Sequence, residues 1–492
     1  MIGARWCFSA RMRPRPRSKK NGTLSEHVLA IISEQAELGT EGDHQGELSE
    51  HMLAHLLCTQ RRTVTGLLNT LGRQQQDWSK AYRLYREHVD GVAIFSPVLD
   101  GVLELLPEGS ALVIGVDDSY LRKSGKKVAS SGWYRDPLGP AFHTNLMWAQ
   151  RFIQLSAAIP DPANPKRSRM IPIAITLIPK LPKPDKNASK EDVAYHEQIK
   201  ALNSPGSHAI RLLRCVREHL DASGHGKTII RACGDGDYSN STLLPQLPPR
   251  TVYIGRTRSD INLRRVPNQT VRRSAGRPRS YGKPLPTPEA LRKDKTVPWE
   301  ELTICNGPKT TKVRYKRIDR TRWHIAGEKA VVQVIVMAPL RYKKRKDGPW
   351  KYTQPAYLVC TNADMPVAEL IQSYFWRWGI EVNFKEEKQL FGAGQTQVRN
   401  ESSASSAPAV CIATYAALLL AGIRAYGFHS RPPSVEPPKW YASKNTARVS
   451  SSDLIQQLHQ ELMLSAAGNF SPLAFGSARS TNPEISTIGR VA

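Results

Sequence analysis

Three side chains able to bind phosphate and one carboxylate lie on one face of a predicted helix. The segment 374–390 (YFWRWGIEVNFKEEKQL) has the apolar spacing of a helix. At 100° per residue, its Tyr374, Arg377, Glu381 and Lys388 fall within a stripe roughly 60° wide. Arginine offers a bidentate fork to phosphate, lysine a point charge and tyrosine a hydroxyl. An acid surrounded by such groups indicates phosphate chemistry; the alternative is a solvated face of ion pairs, which leaves the interleaved aromatic residues unexplained.

Further carboxylates follow two apolar runs that are typical of buried strands. The run ALVIGV, 111–116, ends in Asp117 and Asp118, and a second run, 227–234, is followed by Asp235 and Asp237. Adjacent residues of a strand point to opposite faces of the sheet, so only one residue of the first pair can face a common site. Asp235 is preferred over Asp237 because it closes the apolar run directly.

Carboxylates gathered at one end of a sheet repel each other unless a cation lies between them. Oxygen-only ligands suit Mg²⁺ or Mn²⁺. Two such ions about 4 Å apart stabilise the entering and leaving oxygens of an in-line phosphoryl displacement. The two aspartates that follow the strands, together with Glu381, therefore predict a metal-dependent phosphodiester enzyme.

The elements that must position these groups alternate between strands and helices. Further strands are predicted at 142–159, 170–179 and 250–258, with helical segments within 190–221 and one helix over 365–390. This order is typical of an α/β layer structure. Residues 25–105 form a small all-helical unit, which suits either a helix-turn-helix DNA reader or a plain helical cap on the next domain.

These patterns divide the chain into six parts. They are a basic arm (1–24), a helical unit predicted to bind DNA (25–105), the first part of the α/β domain (106–258), a basic β-rich insertion (259–352), the second part of the α/β domain with the helix of the stripe (353–428), and a Pro-rich linker with a C-terminal helix (429–492).

The charge is concentrated in two of these parts. The chain has 492 residues and a net charge of +27. Residues 1–20 carry seven Lys and Arg and no acid, and residues 250–349 carry 26 Lys and Arg against 8 Asp and Glu. A basic block of this size predicts contact with nucleic acid, although the arm alone could be solvated surface.

Two other features limit the class of protein. The seven cysteines are scattered singly without a CxxC pair, which disfavours a disulfide scaffold or a thiolate zinc site and indicates a reducing compartment. The most apolar stretch, 407–427, is rich in alanine and contains Pro and Gly, so we predict a buried helix rather than a membrane span.

The spacing of the helical stripe resembles a known signature. Tyr374, Arg377, Glu381 and Lys388 match the Y-x2-R-x3-E-x6-K pattern of DDE transposases of bacterial insertion sequences. The segment VDDSYLRKSGKK, 116–127, resembles the first-aspartate motif of that family and favours Asp118. GDGDYSN, 234–240, resembles the second-aspartate motif, of the form D-x-x-Y, and favours Asp235. The resemblance implies an RNase H-like mixed sheet with flanking helices, and Asp118, Asp235 and Glu381 as catalytic metal ligands for two Mg²⁺ or Mn²⁺ ions.

The resemblance also implies contacts with DNA. Tyr374, Arg377 and Lys388 would contact the DNA phosphates. In some relatives the insertion supplies an aromatic residue that holds a flipped base, for which Trp299 and Trp323 are candidates, unless each is a core tryptophan. Arg273 and Arg277 lie in RSAGRPRS, which is either a hook for the minor groove or a basic loop.

The function implied is cleavage at the terminal inverted repeats of an insertion sequence followed by strand transfer into target DNA. The expected partner is double-stranded DNA, and the active complex is expected to be a homodimer. The expected location is the bacterial cytoplasm, with the protein associated with the nucleoid when it binds DNA and with no membrane partner. The alternatives are a different RNase H-like nuclease and a catalytically inactive DNA-binding derivative of a transposase. The intact stripe disfavours the inactive derivative.

Overall fold

The fold was analysed in a computed structural model. It describes residues 22–137, 139–140, 142–267, 279–307, 309–345, 347–428, 432, 435 and 449–468. The predicted basic arm and the Pro-rich linker lie almost wholly outside the described residues.

A large mixed sheet forms the centre of the molecule. Its eleven strands, among the described residues, are β1 (Leu112–Arg122), β2 (Gly132–Arg135), β3 (Leu146–Asp161), β4 (Asn164–Ile178), β5 (Ile230–Gly234), β6 (Thr251–Arg256), β7 (Arg264–Arg265), β8 (Glu300–Asn306), β9 (Lys309–Arg322), β10 (Val332–Met337) and β13 (Ala356–Cys360). A separate hairpin pairs β11 (Arg341–Tyr342) with β12 (Lys351–Tyr352). Strands β1, β5 and β6 are parallel neighbours, and the other pairings are antiparallel.

Helices flank this sheet. They are α1 (Leu24–Gly39), α2 (Gln45–Leu57), α3 (Val64–Thr70), α4 (Trp78–Arg83), α5 (Ser96–Leu105), α6 (Lys190–Leu202), α7 (Pro205–Ala222), α8 (Pro288–Lys293), α9 (Val367–Trp376), α10 (Gly379–Gln389), α11 (Glu401–Tyr426) and α12 (Ser451–Gly468). The predicted α/β class, with an RNase H-like mixed sheet and an all-helical N-terminal region, is confirmed.

The strand order is β2-β3-β1-β5-β6-β13-β10-β9-β7, with β4 on β3 and β8 on β9. Strands of the basic segment 259–352 therefore extend the main sheet beyond β13. Ile335 of β10 pairs with Leu358 of β13 on one side and with Arg317 of β9 on the other. The insertion thus interrupts the chain without interrupting the sheet, because its apolar strand β10 is fully buried between two hydrogen-bonded neighbours.

Strand β1 is longer than its apolar run. We expected it to end at the aspartates, but it continues to Arg122 because β3 pairs with it along almost its whole length. The parallel neighbour β5 ends sooner, at Gly234, which pairs with Val116. Asp117 and Asp118 therefore follow the point where β5 stops, and the residue after β5 is Asp235.

The N-terminal helices share a core with the rest of the molecule. Helix α1 begins with the capping box of Thr23 and Glu26 and buries Ile31 and Ile32. These side chains belong to the same hydrophobic cluster as strand β1 and helix α11. The Nε2 atom of Gln35 donates a hydrogen bond to the carbonyl oxygen of Ala413, 3.1 Å away. The helical region is thus bonded directly to α11.

Helix α11 covers the apolar stretch that we predicted to be buried. By length and composition alone it could cross a membrane, and its most apolar stretch is completely buried inside the protein. It packs against α1, α5 and β4. The prediction of a core helix is confirmed. The six described cysteines are also buried, and none of them forms a disulfide.

Candidate active site

The helix predicted over 365–390 is two helices joined by a tight turn at Arg377 and Trp378. Ile380 N donates to Arg377 O (2.9 Å), a spacing of three residues rather than four. Gly379 lies against Met170 of β4, where a Cβ atom would come within 2.3 Å of Met170 Cγ. The prediction of a single helix is therefore wrong. The chain breaks where glycine lets the backbone approach the sheet.

Arg377 joins carboxylates from two elements. Its Nη1 atom lies 2.9 Å from Asp117 Oδ2 on β1, and its Nη2 atom lies 3.1 Å from Glu381 Oε1 on α10. The guanidinium is largely buried, so both contacts are shielded from water. The tight turn thus places the arginine between the strand and the helix that carry the predicted acids.

Asp117 and Asp118 face opposite sides of β1. Asp117 lies on the side of Gly115, where an added Cβ atom would be 3.7 Å from Arg377 Cγ. Asp118 instead accepts hydrogen bonds from Arg151 of β3 at 2.7 Å and 2.9 Å. It accepts a further bond from the hydroxyl of Tyr238 at 2.9 Å. The described contacts therefore bring Asp117, rather than the predicted Asp118, together with Arg377 and Glu381.

Asp235 begins the turn after β5. Its Oδ1 atom accepts a hydrogen bond from the backbone N–H of Asp237, 3.0 Å away. Asp235 is close enough to raise the pKa of both Asp117 and Glu381 through its negative charge. Asp237 is exposed. The geometry agrees with the preference for Asp235.

The three acids lie in an environment that disfavours their negative charge. Burial raises the pKa of Asp117 to about 7, an effect that Arg377 opposes and Asp235 reinforces. Burial also raises the pKa of Asp235 and of Glu381. The positive charge of Arg377 lowers the pKa of all three acids, but by less than burial raises it. The site would therefore gain from additional positive charge.

The other two members of the stripe also face β1 and its neighbours. Lys388 Nζ donates to Ser119 Oγ at 2.6 Å, two residues along the strand from Asp117 and on the same face. The Tyr374 ring lies beside Arg377, with 5.7 Å between its centroid and the Arg377 Cζ atom. The structure thus brings Tyr374, Arg377, Glu381 and Lys388 to one side of β1, in spite of the break between the helices.

The predicted DNA contacts in the insertion have different surroundings. Trp323 is 3% exposed and belongs to the hydrophobic core, which agrees with the alternative of a core tryptophan. Trp299 is half-buried, and Lys316 Nζ lies 4.7 Å from its ring centroid. Arg273 and Arg277 lie outside the described residues.

An exposed aromatic and basic hairpin was missed in the sequence. In the β11–β12 hairpin, Trp350 is 53% exposed and Tyr352 is 66% exposed. The Arg341 guanidinium lies 4.6 Å from the Trp350 ring centroid, and Lys343 Nζ lies 5.0 Å from it. The run of lysines before GPWKY was the available signal, because such a run next to Gly-Pro is typical of an exposed turn. Nothing in the sequence indicated that Arg151 would pair with Asp118.

The donor set fits a hard divalent cation. Asp117, Asp235 and Glu381 supply carboxylate oxygens alone, the ligands that Mg²⁺ and Mn²⁺ prefer. Their raised pKa values indicate that positive charge would stabilise them together. Within the described ranges, no group of three or more His, Cys, Asp or Glu side chains is already assembled around one point. Arg377 contacts two of these three acids, so binding a cation there requires the arginine to shift.

Comparison with known proteins adds a family match. A profile of DDE superfamily endonucleases matches residues 40–329. The matched range includes Asp117, Asp118 and Asp235, and α9 and α10 lie beyond it. No curated protein matches the chain. Since the profile covers more than half of the sequence, the chain belongs to the DDE superfamily of endonucleases.

Proposed function

We propose that this endonuclease is a transposase that binds the terminal inverted repeats of an insertion sequence, cleaves the DNA there and joins the ends to target DNA. The observation that carries the proposal is the contact of Arg377 with both Asp117 and Glu381 beside the end of β5. Endonucleases of this superfamily generally use divalent metal ions. Asp117, Asp235 and Glu381 would hold them, with Asp117 in the position for which the motif favoured Asp118.

The residues of the site have separate tasks in this proposal. Two bound Mg²⁺ or Mn²⁺ ions would stabilise the entering and leaving oxygens of the phosphoryl displacement. Arg377 can turn its fork from the carboxylates to the scissile phosphate, to which it can donate two parallel hydrogen bonds. Lys388 adds a point charge beside Ser119, and Tyr374 restricts the position of the guanidinium. Burial of the Arg377 guanidinium strengthens its contacts.

The basic insertion supports DNA as the substrate. Its strand β9 has exposed basic residues such as Lys309, Lys312 and Arg314. The β11–β12 hairpin adds cations around Trp350. We propose that this basic side holds double-stranded DNA, that paired ends are bound by a homodimer, and that the protein works in the bacterial cytoplasm.

The test is a cleavage assay with labelled DNA from the flanks of the gene that encodes the chain. We expect cuts at the inverted repeats with Mg²⁺ or Mn²⁺, none with EDTA, and a loss of at least about 10²-fold in Glu381→Gln, the magnitude of removing an important electrostatic contact. Asp237→Asn, an exposed acid of the same turn, is the matched control and should retain cleavage. Binding without cleavage in either metal would contradict the proposal.

A second experiment distinguishes the two adjacent aspartates. Asp117→Asn should lose cleavage and weaken Mn²⁺ binding, measured by calorimetry with the full-length protein. Asp118→Asn should retain Mn²⁺ binding and lower the melting temperature, because Arg151 would lose its charged partner. Normal Mn²⁺ binding by Asp117→Asn, with loss of binding in Asp118→Asn, would instead make Asp118 the metal ligand, as the motif favoured.

The second candidate function is a nuclease of the same superfamily without strand transfer. The family match favours it equally, because the match shows an endonuclease and carries no information on the joining of cleaved ends. Pre-cleaved ends incubated with a supercoiled plasmid distinguish the two. Joined products indicate a transposase, and cut ends that remain free indicate a nuclease.

A further inference from the structure

A deep basic cleft lies between the N-terminal helices and the catalytic part of the molecule. Its volume is about 1100 Å³. One wall comes from α4 and the residues around it, and the other comes from the segment after β1 and from residues 394–403. We refer to it as the α4 cleft.

Six cations line the α4 cleft: Arg61, Arg83, Arg86, Arg122, Lys123 and Arg399. None of its lining residues is Asp or Glu, in the part of the chain that the structure describes. Arg86 and Arg122 have acidic partners outside the cleft, Glu87 and Asp136. Arg61, Arg83 and Arg399 are exposed in the lining, so its potential is positive, which indicates a polyanionic ligand.

The same cleft exposes an aromatic surface. Trp78 is 60% exposed, although its ring is large and apolar. Tyr82 supports it from the side, with 6.5 Å between the ring centroids and an interplanar angle of 85°. An aromatic face beside cations is the combination that binds unpaired bases together with their phosphates. In duplex DNA the bases stack on one another, and their faces are not available to a side chain.

The cleft is held open by specific hydrogen bonds. The backbone N–H of Arg62 donates to Gln395 Oε1 at 2.9 Å, which links the helical wall to the segment 394–403. Lys123 Nζ donates to Gly394 O at 3.3 Å, and Ala129 N donates to Arg399 O at 2.8 Å. The first bond connects the two walls and the other two hold the second wall together, so the shape does not depend on a ligand.

The size of the cleft favours a single strand. Its volume is that of a cube roughly 10 Å on a side, comparable with the largest small-molecule pockets. One turn of duplex is about 34 Å long and does not fit into it. Strand β1 also leads from the carboxylates to the cleft. Lys123 is six residues beyond Asp117, or about 20 Å at the rise of a strand.

We propose that the α4 cleft binds a short stretch of single-stranded DNA, with Trp78 stacked on an unpaired base and the exposed Arg61, Arg83 and Arg399 along its phosphates. The proposal rests on the proposed function only for the source of that strand, which would be released when a DNA end is opened. Binding itself requires neither metal nor cleavage.

The test measures binding of a fluorescein-labelled ten-nucleotide oligothymidylate to full-length Glu381→Gln protein in EDTA, by fluorescence anisotropy. Trp78→Leu should weaken binding about 5- to 150-fold, the range for loss of one stacked base, and Trp78→Phe should retain most of the affinity. The double variant Arg83→Ala/Arg399→Ala should lower the slope of log affinity on log salt by about 1.4, or about 0.7 for each phosphate contact.

The matched control is Tyr195→Ala on α6, where the ring is 65% exposed and is not part of the cleft lining. It should bind like the parent protein. Crosslinking with an oligonucleotide that contains 5-iododeoxyuridine should modify peptides within 78–86 or 394–403. Equal affinity of Trp78→Leu and Trp78→Phe, crosslinks confined to other peptides, or equal competition by a ten-base-pair duplex would each overturn the proposal. Because cleavage is absent from this assay, failure of the transposase proposal would leave these results unchanged.

Discussion

Buried acids on α10 have different partners on its two sides. Glu381 contacts Arg377 and faces β1. Glu387 is 3% exposed, and its Oε1 atom accepts a hydrogen bond of 2.8 Å from Gln154 Nε2. Burial raises the pKa of Glu387 to about 8, an effect that the bond from Gln154 opposes. Glu387 therefore retains its proton at neutral pH in the folded protein, and it is a structural acid rather than a member of the site.

This difference predicts a pH effect on stability. In the unfolded chain a glutamate ionises near pH ~4.3, whereas in the folded protein Glu387 holds its proton up to about pH 8. Between these values the folded state binds more protons, so this group lowers the free energy of unfolding as the pH rises. Glu387→Gln removes the effect, and its stability relative to the parent protein should increase from pH 5 to pH 8 in urea titrations. A difference that does not change with pH would contradict the assignment.

At the scale of elements, the break between α9 and α10 determines the site. Gly379 has no side chain to separate the turn from Met170 of β4. The same strand face is lined by Gly115 of β1, where an added Cβ atom would come within 2.7 Å of Met170 Cε. Small residues on both elements thus let Arg377 reach Asp117.

Gly379→Ala should therefore be costly. A Cβ atom there would overlap Met170, so we expect the free energy of unfolding to fall by about 1–3 kcal/mol, together with a loss of cleavage as Arg377 is displaced. Gly46→Ala in α2 is the control, because nothing lies within 4 Å of an added Cβ atom. It should be neutral or stabilising by about 0.4–1 kcal/mol. Equal melting temperatures for the two variants would refute the packing argument.

The β11–β12 hairpin gives a second prediction at this scale. If it contacts duplex DNA, Arg341→Ala/Lys351→Ala should make the slope of log affinity on log salt shallower by about 1.8, at about 0.9 for each phosphate contact. Both residues are exposed, so folding should not change. Lys190→Ala/Lys200→Ala on α6 removes the same charge elsewhere. The hairpin has no role in duplex binding if the two double variants give the same slope.

At the scale of the whole molecule, one hydrophobic cluster connects the N-terminal helices, the sheet and α11. Its members include Ile31 of α1, Ile114 of β1 and Leu418 of α11. A shared core makes the parts unfold together, because no part can lose its neighbours without exposing its own apolar face. The helical region therefore serves as a wall of the α4 cleft at a fixed distance from β1.

Ile31→Ala tests this coupling. Ile31 is 1% exposed, and its truncation should lower the free energy of unfolding by about 2–5 kcal/mol. The loss should appear as one transition with the same midpoint by circular dichroism and by tryptophan fluorescence. Leu29→Ala on the same helix, 44% exposed, should change stability by less than about 0.5 kcal/mol. Two separate transitions in Ile31→Ala would show that the helical region is an independent domain.

Local patterns in the sequence determined most of the elements and the chemistry of their side chains. The apolar runs indicated β1, β3, β4, β5 and β6, and the stripe from Tyr374 to Lys388 predicted a phosphate-binding face. These signals are readable because the periods of helices and strands arise within a few residues. The family resemblance followed from the same short motifs, and the profile match confirmed that the chain is a DDE superfamily endonuclease.

Only the tertiary structure decided which residues meet. The choice between Asp117 and Asp118 depends on which face of β1 lies under α10, and motif spacing does not contain that information. The break at Arg377, the continuation of the sheet through β10 and the walls of the α4 cleft likewise depend on neighbours distant in the chain, as when Val116 pairs with Gly234. Such contacts result from burying the whole apolar surface at once, so no local segment encodes them.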